Sequence, residues 1–292
     1  MATGNNFMPP HSRFLDKSFN KLNTRNYVMS ALFDVSGFSI SIYDPDKNKI
    51  IGLVTYHFEE LNGAEEINAQ LDHFLNTVSW LSFPFLKVCI VYRNNLNTLI
   101  PLPLFDKKNA ALYLEFNHIL QQENRIFYDF IKHTDAVNIY SLPMLLFEKV
   151  KTIWPNSLLK HASTILIENL HVLVKNKNDN NALFVNVTKN SFDVVYFKDN
   201  KLDFYNQFQF KTVTDFIYFL LSAIEQLKLN PESVKLILLG NIDKGDAFYE
   251  IIYRYIRHIS FIKRNDNYAY SYVLDEIKPQ MHFLLFNSLQ CE

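Results

Sequence analysis

Glycine is the scarcest informative residue in this 292-residue chain, with 6 present where about 20 would stand at the usual share of roughly 7%. Chemistry that relies on glycine loops to bring backbone N–H groups onto phosphates is therefore short of parts. Cysteine is sparser still. Cys89, inside an apolar run, and Cys291, near the end of the sequence, have no CxxC spacing and are too few for a disulfide framework, which suits a reducing cytoplasm. Excess charge of one sign is also missing. With 29 Lys and Arg against 30 Asp and Glu, a net charge of -1 and a pI near 6.8, no general field draws the protein to nucleic acid or an anionic membrane. Long hydrophobic runs are absent: FIYFLLSAI, from Phe216, is about half the roughly 20 residues that cross a bilayer. The opening stretch MATGNNFMPPHSRFLDKSFNKLNT lacks the apolar core and small-residue cleavage site of a signal peptide, and reads as a loose arm over 1–26. Neither a phosphate loop of the G-x-x-x-x-G-K-[ST] type nor G-x-G-x-x-G, H-E-x-x-H or G-x-S-x-G occurs, which removes the familiar motif enzymes.

What is present is enough apolar material, 48% of residues, to fill one large core or two ordinary ones. From Tyr27 the pattern runs YVMSALFDVSG, FSISIYD, a PDKNK turn, then IIGLVTYHF. Strict alternation at Phe38, Ile40 and Ile42 predicts an antiparallel three-stranded meander. Ala64, Ile67, Leu71, Phe74, Leu75, Val78 and Leu81 then recur at spacings of three and four, the stripe of a helix reaching about Trp80, and LKVCIVY supplies a buried strand. The same order returns about 150 residues later in ALFVNVT, FDVVYF, KDNK and LDFYNQFQF, followed by a stripe at Val213, Phe216, Ile217, Leu220, Ile224 and Leu227 and the strand SVKLILLG. The two units are either an internal duplication or two instances of a common arrangement. Between them, LIPLPLF reads as extended, IKHTDAVNIYSLP as a strand pair, and 144–154 and 158–174 as two helices parted by Pro155. KNKNDNN, residues 175–181, is the expected linker between a first lobe over 27–175 and a second over 182–292.

Two units of hairpin, helix and strand joined by a polar link resemble the actin-like ATPase fold, most closely bacterial members such as PilM and FtsA. That family's second phosphate hairpin reads approximately D-x-G-G-G-T-T-D, with a K-D-G-K-L turn further on. The aligned stretch here is Asn186 to Asp193, and the turn is Lys198-Asp199-Asn200-Lys201-Leu202. The segment TDFIYFLLSAIEQLKLNPESVKLILLGNID is similar to the family's helix, Asn-Pro loop and strand leading into its adenosine loop. The chain as a whole, from Tyr27 onward, also resembles an uncharacterised bacterial family of unknown function with this architecture. The resemblance implies a two-lobed α/β (RNase H-like) fold with a nucleotide cleft between phosphate hairpins.

The departures from that pattern bear on function. Asn186 stands at the position of the aspartate, and Thr188, Lys189 and Asn190 at those of the hairpin glycines; Asp193 matches. In the first hairpin, FDVSGFS, Asp34 matches the family aspartate and Gly37 is displaced by one, with Ser36 at the glycine position. Gly240 matches the first glycine of the adenosine loop and Asn241 replaces the second. The candidate residual nucleotide cleft is accordingly Asp34, Gly37, Lys189, Asp193 and Gly240, with no catalytic residue and no metal ligand assigned. Each has a plain structural reading beside the functional one. Asp34 caps its own turn or serves a metal, Gly37 and Gly240 meet turn geometry, and Asp193 and Lys189 are solvated, unless Lys189 reaches an anion. The expectation is a cytoplasmic interaction or scaffold protein with a degenerate cleft, no required cofactor and an unknown protein partner. Binding or slow hydrolysis of ATP with magnesium is the alternative. A weaker one is single-stranded nucleic acid on YEIIYRYIRHISFIKRNDNYAYSY, where Arg254, Arg257, Lys263 and Arg264 alternate with tyrosines; its plain reading is an amphipathic helix and strand with snorkelling cations and a core stripe of Ile251, Ile252, Tyr255, Ile256 and Ile259. Histidines are scattered, and only His161 and His171 suggest a pair.

Overall fold

Alternation and turn chemistry produce the first sheet in the computed structural model, which describes residues 12–58, 64–120, 122–177 and 181–290. Strands β2 (Val28–Asp34), β3 (Gly37–Asp44) and β4 (Lys49–His57) form the expected antiparallel meander. Strand β5 (Lys87–Tyr92) lies parallel to β2, and β9 (Leu158–His161) parallel to β5. Helix α1 (Ala64–Thr77) lays Leu71, Phe74 and Leu75 on Phe38, Ile40 and Ile42, as a stripe at helical spacing must when it meets the apolar face of a strand. The other face is also covered, by α7 (Phe283–Asn287), whose Leu285 and Phe286 pack with Val28, Ile50 and Leu53.

The second sheet repeats this arrangement. Strands β10 (Ala182–Val187), β11 (Ser191–Lys198) and β12 (Lys201–Gln209) form a meander, α5 (Val213–Gln226) crosses, and β13 (Lys235–Gly240) and β14 (His258–Phe261) add in parallel. Helix α6 (Ala247–Tyr253) joins the last two. The spatial orders β4-β3-β2-β5-β9 and β12-β11-β10-β13-β14 are the same. The first unit has an insertion between β5 and β9, a three-stranded sheet of β6 (Asn97–Pro101), β8 (Ala136–Pro143) and β7 (Asn124–Phe130), with α2 (Ala110–Glu115) against it and α3 (Met144–Ile153) after it. Helix α4 (Ala162–Lys177) packs Ile165, Leu166 and Leu170 into a core shared with Val91 of the first sheet and Phe184 and Phe197 of the second.

Several expectations are corrected. The loose arm over 1–26 contains β1 (Ser12–Leu15), paired with β4; residues 1–11 lie outside the described ones. The helix expected over 158–174 begins later, because 158–161 pairs with Cys89–Tyr92 as a strand. At the other end α4 continues to Lys177, so the first three residues of the expected linker are helical, while 178–180 lie outside the described residues. The chain over 182–292 does not remain with the second sheet. β15 (Ala269–Tyr270) pairs with β4, and Asp16 accepts a hydrogen bond from Ser271, tying this late segment to the first sheet. Tyr255, placed in a core stripe, is exposed, whereas Ile252 and Ile256 are buried as expected.

Candidate functional site

The two hairpin turns face one cavity of about 820 Å³, bordered by Asp34, Val35 and Ser36 of the first and Thr188 to Ser191 of the second. That volume lies within the roughly 300–1,000 Å³ typical of ligand sites. Asp34 ends β2 and folds back on its own turn, accepting from the Ser36 amide at 3.1 Å and the Ser36 hydroxyl at 3.2 Å, an Asx-type cap. Gly37 follows because a Cβ there would stand 2.2 Å from the Tyr56 carbonyl oxygen on β4. The second turn is held without glycine: the Thr188 amide and hydroxyl both donate to the Ser191 carbonyl at 2.8 Å. Gly240 lies beside Val187 at the end of β13, with φ of 85°, and a Cβ there would approach the Val187 oxygen to 2.1 Å.

Asp34 and Asp193 are brought together by a residue outside both hairpins. Arg93 emerges from the end of β5, is 5% exposed, and donates from Nη2 to Asp193 Oδ2 at 2.7 Å while its Nε stands 3.8 Å from Asp34 Oδ2. Burial by itself depresses the guanidinium pKa, but the charges of Asp193 and Asp34 outweigh it and the net shift is upward. Asp193 also accepts from Asn186 Nδ2 at 2.9 Å, its direct cross-strand partner, and from the Tyr205 hydroxyl at 3.2 Å. It is buried, which corrects the solvated-strand reading. Burial first, then Asp193, holds the Tyr205 phenol well above its ordinary pKa. Behind Arg93, His161 is buried between Ser163 Oγ on Nδ1 and Asn94 Oδ1 on Nε2. Burial, with a smaller contribution from Arg93, lowers its pKa to about 3, so it is neutral at physiological pH.

Lys189 is exposed at the tip of the second turn and borders both the large cavity and an adjoining one of about 110 Å³ walled by Gly240 and the C-terminal Phe283 and Leu284. Asp34 and Lys189 thus border both cavities, Gly37 and Gly240 border the smaller one, and Asp193 lines neither, being buried behind Arg93. Sequence reasoning missed Arg93 and Tyr205. The one signal for Arg93 was a lone cation directly after the apolar run KVCIVY, at the carboxyl end of a parallel strand, where α/β sheets place functional groups. His161 and His171 lie apart in role, and among the described residues no group of three His, Cys, Asp or Glu is placed to hold a metal ion. The tyrosine and arginine stretch is divided between α6, β14 and the return to the first sheet. There Arg264 donates to the Leu274 and Ile277 carbonyls and stacks on Tyr270.

With this geometry in hand, comparison with known proteins gives the fold. A protein of Bacteroides thetaiotaomicron with an actin-like ATPase fold and unknown function superposes with a TM-score of 0.81 at 22% identity, covering 94% of this chain and 99% of that one. A chain of the PilM–PilN type IV pilus biogenesis complex is similar with a TM-score of 0.61 at 11% identity, covering 91% and 98%. A family model described as "Protein of unknown function (DUF3822)" matches residues 16–259. No curated protein matches the chain in sequence. No helix among the described residues is long and apolar enough to cross a membrane.

Proposed function

We propose, for a chain that belongs to the DUF3822 family of proteins of unknown function and has the actin-like ATPase fold, that the cleft locks the two lobes together and that the protein works by binding a protein partner. The observation that carries this reading is Arg93, whose guanidinium spans Asp34 and Asp193. A magnesium–nucleotide site needs carboxylates turned to metal and amides turned to phosphate. Here Asp34 is committed to its own turn and to Arg93, and Asp193 to Arg93, Asn186 and Tyr205. The Ser36 and Thr188 amides are taken by Asp34 and Ser191. These residues do not fit magnesium and triphosphate, and no hydrolytic step follows from them. The PilM–PilN structure supports the idea of a protein partner by analogy of fold alone.

ATP binding is the second reading, favoured by the size of the cavity and by Lys189 and Lys211 on its border. Isothermal titration with ATP and magnesium, run beside Asp34→Ala, separates the two. No heat at millimolar ATP is expected. Micromolar binding that disappears in the variant would overturn the locked-cleft reading and make hydrolysis the next measurement.

A further inference from the structure

A second cavity, of about 660 Å³, lies away from the hairpins, between the inserted three-stranded sheet and the sheet of the second lobe. It is bordered by two strands that, among the described residues, each end a sheet: β6, paired there with β8 alone, and β12, paired with β11 alone. In an antiparallel ladder, alternate residues turn their backbone groups away from the partner strand. Leu102 N bonds Asp135 O and Ser141 N bonds Leu96 O, which in the β6–β8 register leaves Leu99 facing outward. Phe210 N bonds Asn190 O, which by the same count leaves Tyr205 facing outward from β12. Both residues line the cavity. An irregularity in the β11–β12 ladder leaves Asp203 without a counterpart, so the edge bends beside the slot.

The inner wall provides a third, independent observation. His171, on α4, is 2% exposed and lines the cavity. Its Nε2 is bonded to the Asn200 carbonyl at 2.8 Å, so that nitrogen carries the proton and Nδ1 is an acceptor; Nδ1 is buried and has no hydrogen-bond partner. A buried acceptor without a donor is costly, and a ligand N–H would relieve it. Leu99, Ile100, Pro101, Leu202 and Phe204 supply apolar walls.

We infer that this slot takes an extended peptide of a partner protein, added as a further strand along β6 and β12, with one of its amides on His171 Nδ1. On β6 the outward Asn97 carbonyl is taken by His118 and Pro101 has no N–H, and on β12 the Gln207 amide is taken by Asn206, so the peptide meets the edges at Leu99 and Tyr205, while apolar walls receive its alternate side chains. This inference rests on the partner-binding reading above and names the surface.

Phage-displayed random dodecapeptides, selected on the full-length protein, are the probe. Enriched peptides are expected to bind the intact protein and to lose about 3- to 10-fold in affinity for each N-methyl group placed on an amide facing a sheet edge, the effect of one lost hydrogen bond. Leu99→Pro removes an outward N–H and no ladder bond, a substitution edge strands accept; it should weaken binding to the same degree. The N-methyl series leaves the protein unchanged and so stands if that variant fails to fold. Failure to enrich any peptide, or binding indifferent to both changes, overturns the proposal. Peptides that bind elsewhere overturn the slot and leave the partner-binding reading intact, whereas only nucleotide titration can defeat that reading.

Discussion

The two hairpins at the cleft occupy equivalent places in equivalent sheets, yet they are built differently. The first keeps an aspartate and a glycine: Asp34 caps the turn with Ser36, and Gly37 permits close approach to β4. The second replaces backbone freedom with side-chain hydrogen bonds, through Thr188 and Ser191, and buries its carboxylate at Asp193 rather than at the start of the turn. The difference teaches that a repeated topology does not preserve a repeated chemistry. What joins the hairpins now is Arg93, which leans to the second at 2.7 Å and to the first at 3.8 Å.

The largest test of this asymmetry is Arg93→Ala. It leaves Asp193 buried without its cation, which typically costs about 3–5 kcal/mol, and urea denaturation should show a loss of that size. A loss under about 1 kcal/mol would mean that the clamp is incidental. The next effect is a matter of pH. His161 is held neutral, with a folded pKa of about 3 against about 6.5 unfolded. A depressed histidine pKa contributes stability that is present above the unfolded value and lost as pH falls toward the folded one. His161→Gln should therefore flatten the acid limb between about pH 6.5 and 3, by at most about 1.4 kcal/mol per pH unit. An unchanged slope would place the imidazole in contact with water. Smallest is Asp34→Ala, which removes a turn cap and the longer of the two Arg93 contacts. About 1 kcal/mol is expected, well below the Arg93 effect, and an equal loss would show that the hairpins share the clamp evenly.

Legibility followed the range of the interaction. Phe38, Ile40 and Ile42 alternate within five residues, and the α1 and α5 stripes repeat within each turn, so both meanders and both crossing helices were plain. Strand β9 was not. Its four residues carry no periodic signal and become a strand only because β5 offers an unpaired parallel edge. At the site, Asp34, Gly37, Lys189, Asp193 and Gly240 were singled out by the resemblance of the hairpins and the β13 loop to the actin-like pattern, whereas what each contacts was hidden. Asp193 looks like any solvated strand residue until Tyr205 and Asn186 are seen to close over it.

Composition, periodicity and turn residues by themselves determined that the chain forms two like α/β units with few glycines at the cleft, since each is a property of neighbouring residues. Tertiary structure alone decided that Arg93 meets a carboxylate 100 residues away, that the C-terminal segment returns to the first sheet, and that two sheet edges border one slot. Such contacts depend on how whole sheets pack around α4, and no local pattern of side chains encodes the separation between groups that far apart in the chain.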